Sequence, residues 1–397
     1  MSIIRTERLA AGYSHKSVVS DIDLNISDGE LACLIGANGS GKSTVLKTIA
    51  GLLPAVSGRI YLDGEDLTRI KRKKIAKSIA VVLTDNIFPT TMTAYELVSM
   101  GRIPFTDFFG VIGSEDKKII DEAFEQTGAE GLKGRVLNEL SDGERQKIMI
   151  ARAIVQQPRL LILDEPISHL DINHKIEVIR ILRRLASEKQ LAVIMSLHDI
   201  ELAMKASSTV HIISDGRITA SGAPEDIIEK EEIHSTYGIE NADFNELFGS
   251  VEICGEKGRT VFVIGGGGTG IKVYRALSRM GFTIYSGVLH ENDCDFQVAS
   301  ALCDEISAEK PFEEIGSEAY ARARTLAEKS ELIIDTGFPV GRTNMQNIHL
   351  LADMLDMGKK IYSLRRKTEY RSLLAENADR LIMLENISEI AVKLNNK

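Results

Sequence analysis

Three short runs of the chain are apolar at almost every position: ELACLIG at 30–36, RLLILDE at 159–165 and LAVIMSLHD at 191–199. Their length and lack of alternation predict strands buried on both faces. Between them the period lengthens. KSTVLKTIAGLL (42–53), TMTAYELVSMGR (91–102) and INHKIEVIRILRRLASEK (172–189) carry apolar residues at helical spacing. SEDKKIIDEAFEQTGAE (114–130) adds a Ser cap and an acidic first turn, so residues 90–135 are expected to be mostly helical. Residues 1–30 and 58–68 instead predict short strands and turns, with alternation in GRIYLDGEDL. TVHIISDGRITASG (209–222) predicts a hairpin turned at Asp215-Gly216.

The periodicity fades in GIENADFNELFGSVEICGEKG (238–258), a glycine- and acid-rich seam, and then restarts. Strands are expected at TVFVIG, TIYSGVL, LIIDT, KIYSL and RLIML, separated by amphipathic helices. Strands alternating with helices predict α/β architecture with a mostly parallel sheet in both parts. The expected division is residues 1–245 and 250–397, the second a smaller doubly wound domain of ordinary size.

Composition narrows the classes. With 44% hydrophobic and 26% charged residues, the 397-residue chain can bury real cores. No stretch approaches the eighteen or so apolar residues of a membrane helix, and MSIIRTERLAAGY is unlike a secretory leader. A net charge of −9 argues against a nucleic-acid partner, and KRKKIAK (71–77) predicts a solvated helix face. The four cysteines lack paired short spacings, which fits a reducing compartment. Cys294 lies near His290, Asp293 and Asp295, but without metal-ligand spacing; a polar loop is the expectation there.

GANGSGKS (36–43) has the spacing of a phosphate loop between a strand and a helix. Gly36, Asn38, Gly39, Ser40, Gly41, Lys42, Ser43 and Thr44 form the stretch whose N–H groups and helix start would face the phosphates of ATP. Lys42 would supply a point charge, and Ser43 a hydroxyl to Mg²⁺. Asp164, at the end of LLILD, is placed to hold Mg²⁺, and Glu165 to orient and polarise an attacking water.

LSDGERQKIMIARAI (140–154), just before that strand, resembles the signature segment of ABC-type ATPases. The resemblance covers about residues 1–245. It implies an ABC-type nucleotide-binding domain, with a mixed sheet core plus helical and antiparallel β subdomains, that hydrolyses ATP as a homodimer. Ser141 and Gly143 would then act on the partner's nucleotide, with Asp142 where the family usually has glycine. Tyr13 resembles the aromatic that stacks on adenine, Asp171 the residue linking the two sites, and His198 the histidine contacting the γ-phosphate. The family's glutamine slot holds Thr84, whose shorter hydroxyl would reach Mg²⁺ through water, unless Asn86 stands in or the coupling is weaker. AYELVSMGRIP and LDINHKIEV are most similar to importer ATPases for iron-siderophores, haem and cobalamin. That likeness implies permease subunits as partners, a substrate-binding protein acting through them, and a cytoplasmic place on the inner face of the cell membrane.

The second glycine run, VIGGGGTG, holds Gly265, Gly267 and Gly270 in G-x-G-x-x-G register between a strand and a helix. Glu291 and Asp293 are the available ribose-binding acids, and Gly267, Asp335, Thr336, Asn344 and Asn347 would line a crevice at the strand ends. Two readings stay open, a ligand- or nucleotide-sensing Rossmann-like domain and a structural module with a tight glycine turn. SGVLHENDCDFQVA and PVGRTNMQN are similar to a tail on some chelate-importer ATPases, which implies no activity.

Overall fold

A computed structural model describes residues 2–14, 16–83, 91–106, 111–228, 242–245, 250–253 and 255–395. The chain divides into two compact units, Met1–Tyr237 and Gly238–Lys397.

The first unit begins with β1 (Ser2–Tyr13), β2 (Lys16–Ile22) and β3 (Asn25–Ser27), then β4 (Leu31–Ile35) and α1 (Lys42–Ile49). β5 (Ser57–Leu62), β6 (Glu65–Asp66), α2 (Arg72–Ser78) and β7 (Ile79–Val82) follow. A helical stretch comes next, with α3 (Ala94–Ser99), α4 (Ser114–Thr127) and α5 (Asp142–Ile154). The unit closes with β8 (Leu160–Asp164), α6 (Ile172–Lys189), β9 (Ala192–Ser196), α7 (Ile200–Ala206), β10 (Thr209–Ser214), β11 (Arg217–Gly222) and α8 (Pro224–Ile228).

Every residue of β4, β8 and β9 is buried, as their unbroken apolar runs require. They form the middle of a six-stranded sheet ordered β11-β10-β4-β9-β8-β7, parallel except for β11. A second, antiparallel sheet runs β2-β1-β5-β6, with β3 on β1. Val45, Leu46 and Ile49 of α1 share one core with Ile4 and Leu9 of β1 and with Leu34, Ile162 and Ile194 of the parallel sheet. Thus α1 is clamped by both sheets, and its N-terminus is fixed at the carboxyl ends of β4 and β8. The hairpin turns as expected: Ser214 pairs with Arg217, and Asp215 and Gly216 both have positive φ, the two-residue turn that matches strand twist. α2, with its basic run, buries no residue. The cap of α4 differs from expectation. Gly113 is the cap and Ser114 the first helical residue, because the Asp116 carboxylate reaches back to accept from the Gly113 N–H at 3.1 Å.

The second unit opens with a two-stranded hairpin, β12 (Ala242–Asn245) and β13 (Ser250–Ile253). Six parallel strands follow: β14 (Thr260–Ile264), β15 (Thr283–His290), β16 (Glu305–Glu309), β17 (Leu332–Asp335), β18 (Ile361–Ser363) and β19 (Ile382–Met383). Their order, β16-β15-β14-β17-β18-β19, is that of a doubly wound dinucleotide-binding sheet. Its two faces read directly from alternate residues. Phe262, Ile264 and Ile333 enter one core, with the helices Ser317–Lys329 and Gln346–Asp356. Val261, Val263, Leu332 and Ile334 enter the other, with the helices Ile271–Arg279 and Cys294–Leu302. β12, β13 and β16 were not expected. β16 reads EISAE and buries only Ser307, so it has neither an apolar run nor a clean alternation.

Candidate functional site

The first glycine loop leaves β4 at Gly36, where φ is 153° and a Cβ would lie 2.2 Å from the Ile213 carbonyl oxygen. At Gly41, φ is 101° and a Cβ would strike Val19 at 2.4 Å. Only glycine lets the chain turn between β10 and β2 and enter α1 immediately. Gly41 caps α1 without a side chain, so the first N–H groups of that helix have no side-chain acceptor and face the loop. Lys42 is buried, and its Nζ donates to the carbonyl oxygens of Gly36 at 2.8 Å and Ala37 at 3.0 Å. Burial lowers the Lys42 pKa, while Glu165 and Asp164 act to keep it charged. Ser40 Oγ is buried with no hydrogen-bond partner among the described residues. An anion in the loop would satisfy a donor of that kind.

Strand register builds the other wall. Asp164 at the end of β8 pairs with Ser196 at the end of β9. Asp164 Oδ1 accepts from Ser43 Oγ at 2.8 Å and from Ser196 Oγ at 2.7 Å. Ser196 Oγ also accepts from the Glu165 N–H at 2.9 Å, which holds Glu165 at a positive φ of 51°. The Glu165 carboxylate has partners of its own. It hydrogen-bonds His198 Nε2 through Oε1 and accepts from Ser168 Oγ through Oε2 at 3.0 Å. Burial acts to raise the Glu165 pKa, but the bonds from His198 and Ser168 outweigh it and hold the carboxyl below its ordinary range.

These elements enclose a cavity of about 710 Å³ lined by Tyr13, Asn38, Gly39, Gly41, Lys42, Ser43, Thr44, Glu165 and His198. Gly36 accepts from Lys42, and Asp164 from Ser43, two of the residues lining this cavity. Tyr13 is half exposed at its mouth. Val18, Ser168 and His169 also line it, and Ser196 organises it; none was expected from sequence. Ser141, Gly143 and Asp171 lie elsewhere, at helix starts. Ser141 caps α5 in a reciprocal box with Glu144, and Asp171 caps α6 through the His174 N–H at 3.0 Å. Thr84 and Asn86 fall outside the described residues.

The second glycine loop is arranged differently. Four N–H groups of the loop and helix start are engaged by carboxylates of the same chain. The fully buried Asp295 accepts from Gly266 at 2.7 Å and from Gly270 and Ile271 at 2.9 Å. Asp293 accepts from Gly267 at 2.8 Å. Burial pushes the Asp295 pKa up, against the pull of the N–H groups of Gly270, Gly266 and Ile271. Asp293, a candidate ribose acid, instead ties this loop to the start of the helix Cys294–Leu302, which it caps. Gly265, Gly267 and Gly270 thus lie in a turn that is braced by Asp293 and Asp295. The residues expected to line a crevice divide: Gly267 is exposed and Asn344 half-buried. Asp335, Thr336 and Asn347 are buried. Asp335 accepts from Ser363 Oγ, Thr336 Oγ1 donates to the Ile264 carbonyl, and Asn347 bonds both N–H and C=O of Val288.

The ABC transporter family profile matches residues 19–168, and that of the MJ0874 family matches 284–393. The chain is 45% identical over 289 residues to the uncharacterized ABC transporter ATP-binding protein MJ0873 of Methanocaldococcus jannaschii, covering 72% of this chain and 100% of that protein. It is 34% identical over 240 residues to the iron(3+)-hydroxamate import ATP-binding protein FhuC of Bacillus subtilis, covering 60% and 89%. The cobalamin import ATP-binding protein BtuD of Halobacterium salinarum is 31% identical over 314 residues, covering 77% and 78%. That span exceeds the 237 residues of the first unit and so reaches into the second. Among solved structures, cbiO1 of Clostridium perfringens, part of the ABC transporter complex cbiONQ, matches with a TM-score of 0.52 at 30% identity, covering 58% of this chain and 92% of that one. With a phosphate loop, an Asp164-Glu165 strand end and His198 around one cavity, and with these relatives, the chain belongs to the ATP-binding proteins of ABC transporters and is an ATPase.

Proposed function

We propose that this chain drives import of a metal chelate, an iron-siderophore, haem or corrinoid, as a homodimer on the cytoplasmic face of a membrane permease fed by a substrate-binding protein. The first unit, Met1–Tyr237, is the motor, and the second, Gly238–Lys397, is an appended Rossmann-like module. The observation that carries the chemistry is the Glu165 carboxylate held by His198 and Ser168, next in the chain to an Asp164 bonded to Ser43 and Ser196.

Each residue then has a distinct task. The N–H groups at the start of α1 and the Lys42 ammonium receive the phosphates, and Tyr13 offers an exposed ring to the base. Ser43 Oγ and Asp164 Oδ1 are adjacent hard oxygen donors of the kind that hold Mg²⁺, which supplies charge neutralisation at the phosphates when bound. Glu165, kept ionised, accepts a hydrogen bond from the attacking water and aims it, while His198 fixes the carboxylate and reaches the same cavity. Ser141, Gly143 and Asp171 complete the site of the second copy. The names of the relatives support the chelate class, because importers of ferric hydroxamate and of cobalamin both stand among them.

The Glu165→Gln variant tests the motor. It is expected to bind ATP with unchanged affinity and to lose at least about 100-fold in kcat, the signature of a group acting in the transition state. Turnover at the wild-type rate would remove Glu165 from the mechanism. For the cargo, ATPase activity with the permease in vesicles is expected to rise when a ferric siderophore, haem or cobalamin is supplied with its binding protein. No response to any of the three would overturn the chelate assignment.

A further inference from the structure

His174 lies on α6, three residues beyond Asp171, and it joins two segments that the functional reading places on the same dimer face. Its backbone N–H donates to Asp171 Oδ1 at 3.0 Å, and its ring Nδ1 pairs with Asp171 Oδ2 at 2.8 Å. The ring also sits against Gly143 of α5. A Cβ at Gly143 would sit 2.2 Å from His174 Cδ2 and 2.4 Å from Cγ, so the absence of a side chain at 143 is what admits the imidazole. One turn further along, Lys147 of α5 forms an ion pair with Glu177 of α6. Gly143 with Lys147, and His174 with Glu177, are four and three residues apart, so each pair shares a helix face. The two helices are therefore fastened at their N-terminal ends, where Ser141 and Asp171 are the caps.

We propose that His174 is a positioning residue that locks the signature segment Ser141–Gly143 to the Asp171 turn, so that both present to a second copy as one rigid edge. The idea rests on the dimeric ATPase reading. The side chain lines no part of the nucleotide cavity, so it touches neither phosphate nor water in its own subunit. Its effect is on geometry: a displacement of about 1 Å in residues that meet the transferring phosphate can cost about 100-fold. Asp171 alone would keep α6 capped but would leave the Lys147–Glu177 pair, which is partly exposed, as the ion pair joining α5 to α6 at this end among the described residues.

The test uses the full chain with His174→Ala, His174→Asn, Gly143→Ala and the double variant Gly143→Ala/His174→Ala. His174→Ala is expected to lower kcat roughly tenfold or more, with ATP affinity, measured in the Glu165→Gln background, within about twofold of its parent. In that background, light scattering should show weaker ATP-driven dimerisation. His174→Asn keeps a donor near the Nδ1 position and should recover part of the loss. Gly143→Ala should be severe alone yet add little to His174→Ala, because the smaller residue frees the space a Cβ needs. If Glu165→Gln dimerises with ATP and Glu165→Gln/His174→Ala does so equally well, the positioning role is wrong while the motor reading survives. If Glu165→Gln stays monomeric in ATP, both fall. A loss of ATP affinity parallel to the loss of kcat would show a merely structural histidine and overturn the proposal.

Discussion

At the scale of single residues, the ionisation of Glu165 depends on its neighbours, and this gives a pH prediction of definite sign. Its burial alone would raise the pKa above the ordinary value of about 4.3, and the bonds from His198 and Ser168 reverse that. In the wild type the carboxylate therefore stays ionised below the ordinary range, and the acid limb of the kcat profile owes nothing to it near neutrality. Removing the imidazole in His198→Ala deletes the larger lowering contribution and leaves burial in place, so the carboxyl pKa rises. The expected outcome is a lower kcat together with an acid limb moved to higher pH, read from kcat between pH 5 and 9. A limb at the same pH in both proteins would show that His198 does not hold Glu165 ionised. The residues of this cluster differ in how legible they were. Lys42, Ser43, Asp164 and Glu165 could be read from sequence because loop and strand-end spacing is local. Ser196 could not, because its contact with Asp164 exists only through the register of β8 against β9.

At the scale of elements, strands with an unbroken apolar run or clear alternation were visible, and those without were not. β16 is a polar edge strand held by pairing with β15. The β12–β13 hairpin lies in the seam where periodicity fades. The second glycine loop shows a deeper limit. Its spacing, strand and helix all match a dinucleotide turn, and what separates it from one is a carboxylate 25 residues downstream. Asp295 supplies internally the negative charge that a pyrophosphate would bring to such a loop. Asp295→Asn removes the charge and turns one acceptor into a donor facing N–H groups. The expected cost to the second unit is about 2–3 kcal/mol, measured by denaturant unfolding followed by circular dichroism. Native-like stability in that variant would mean the loop is held by glycine geometry alone. In the wild-type chain, calorimetry with NAD is expected to give no saturable heat; a one-to-one isotherm would mean that Asp295 yields its place to a ligand.

At the scale of the whole molecule, the chain carries two parallel-sheet units built on the same strand–glycine turn–helix opening, and the partners of that turn differ between them. In the first unit the helix start has no side-chain cap, the lysine is folded onto loop carbonyls, and a serine hydroxyl has no hydrogen-bond partner among the described residues. In the second the corresponding N–H groups are bonded to aspartates. Binding linkage turns this contrast into a measurement. A ligand that binds only the folded state stabilises it by RT ln(1 + [L]/Kd), about 2.7 kcal/mol at a hundred times Kd. With ATP and Mg²⁺ at that excess, the unfolding transition of the first unit should move to higher denaturant by that amount, and the transition of the second should not move. Assignment of the transitions follows from Asp295→Asn, which should lower only the second. Lys42→Ala should cancel the ATP-dependent shift, since it removes the buried charge at the loop. If both transitions rise together with ATP in the wild type, the units are not energetically separate and nucleotide binding in the first is transmitted to the second. That outcome would give the appended module a part in the ATPase cycle, despite the closed state of its own loop.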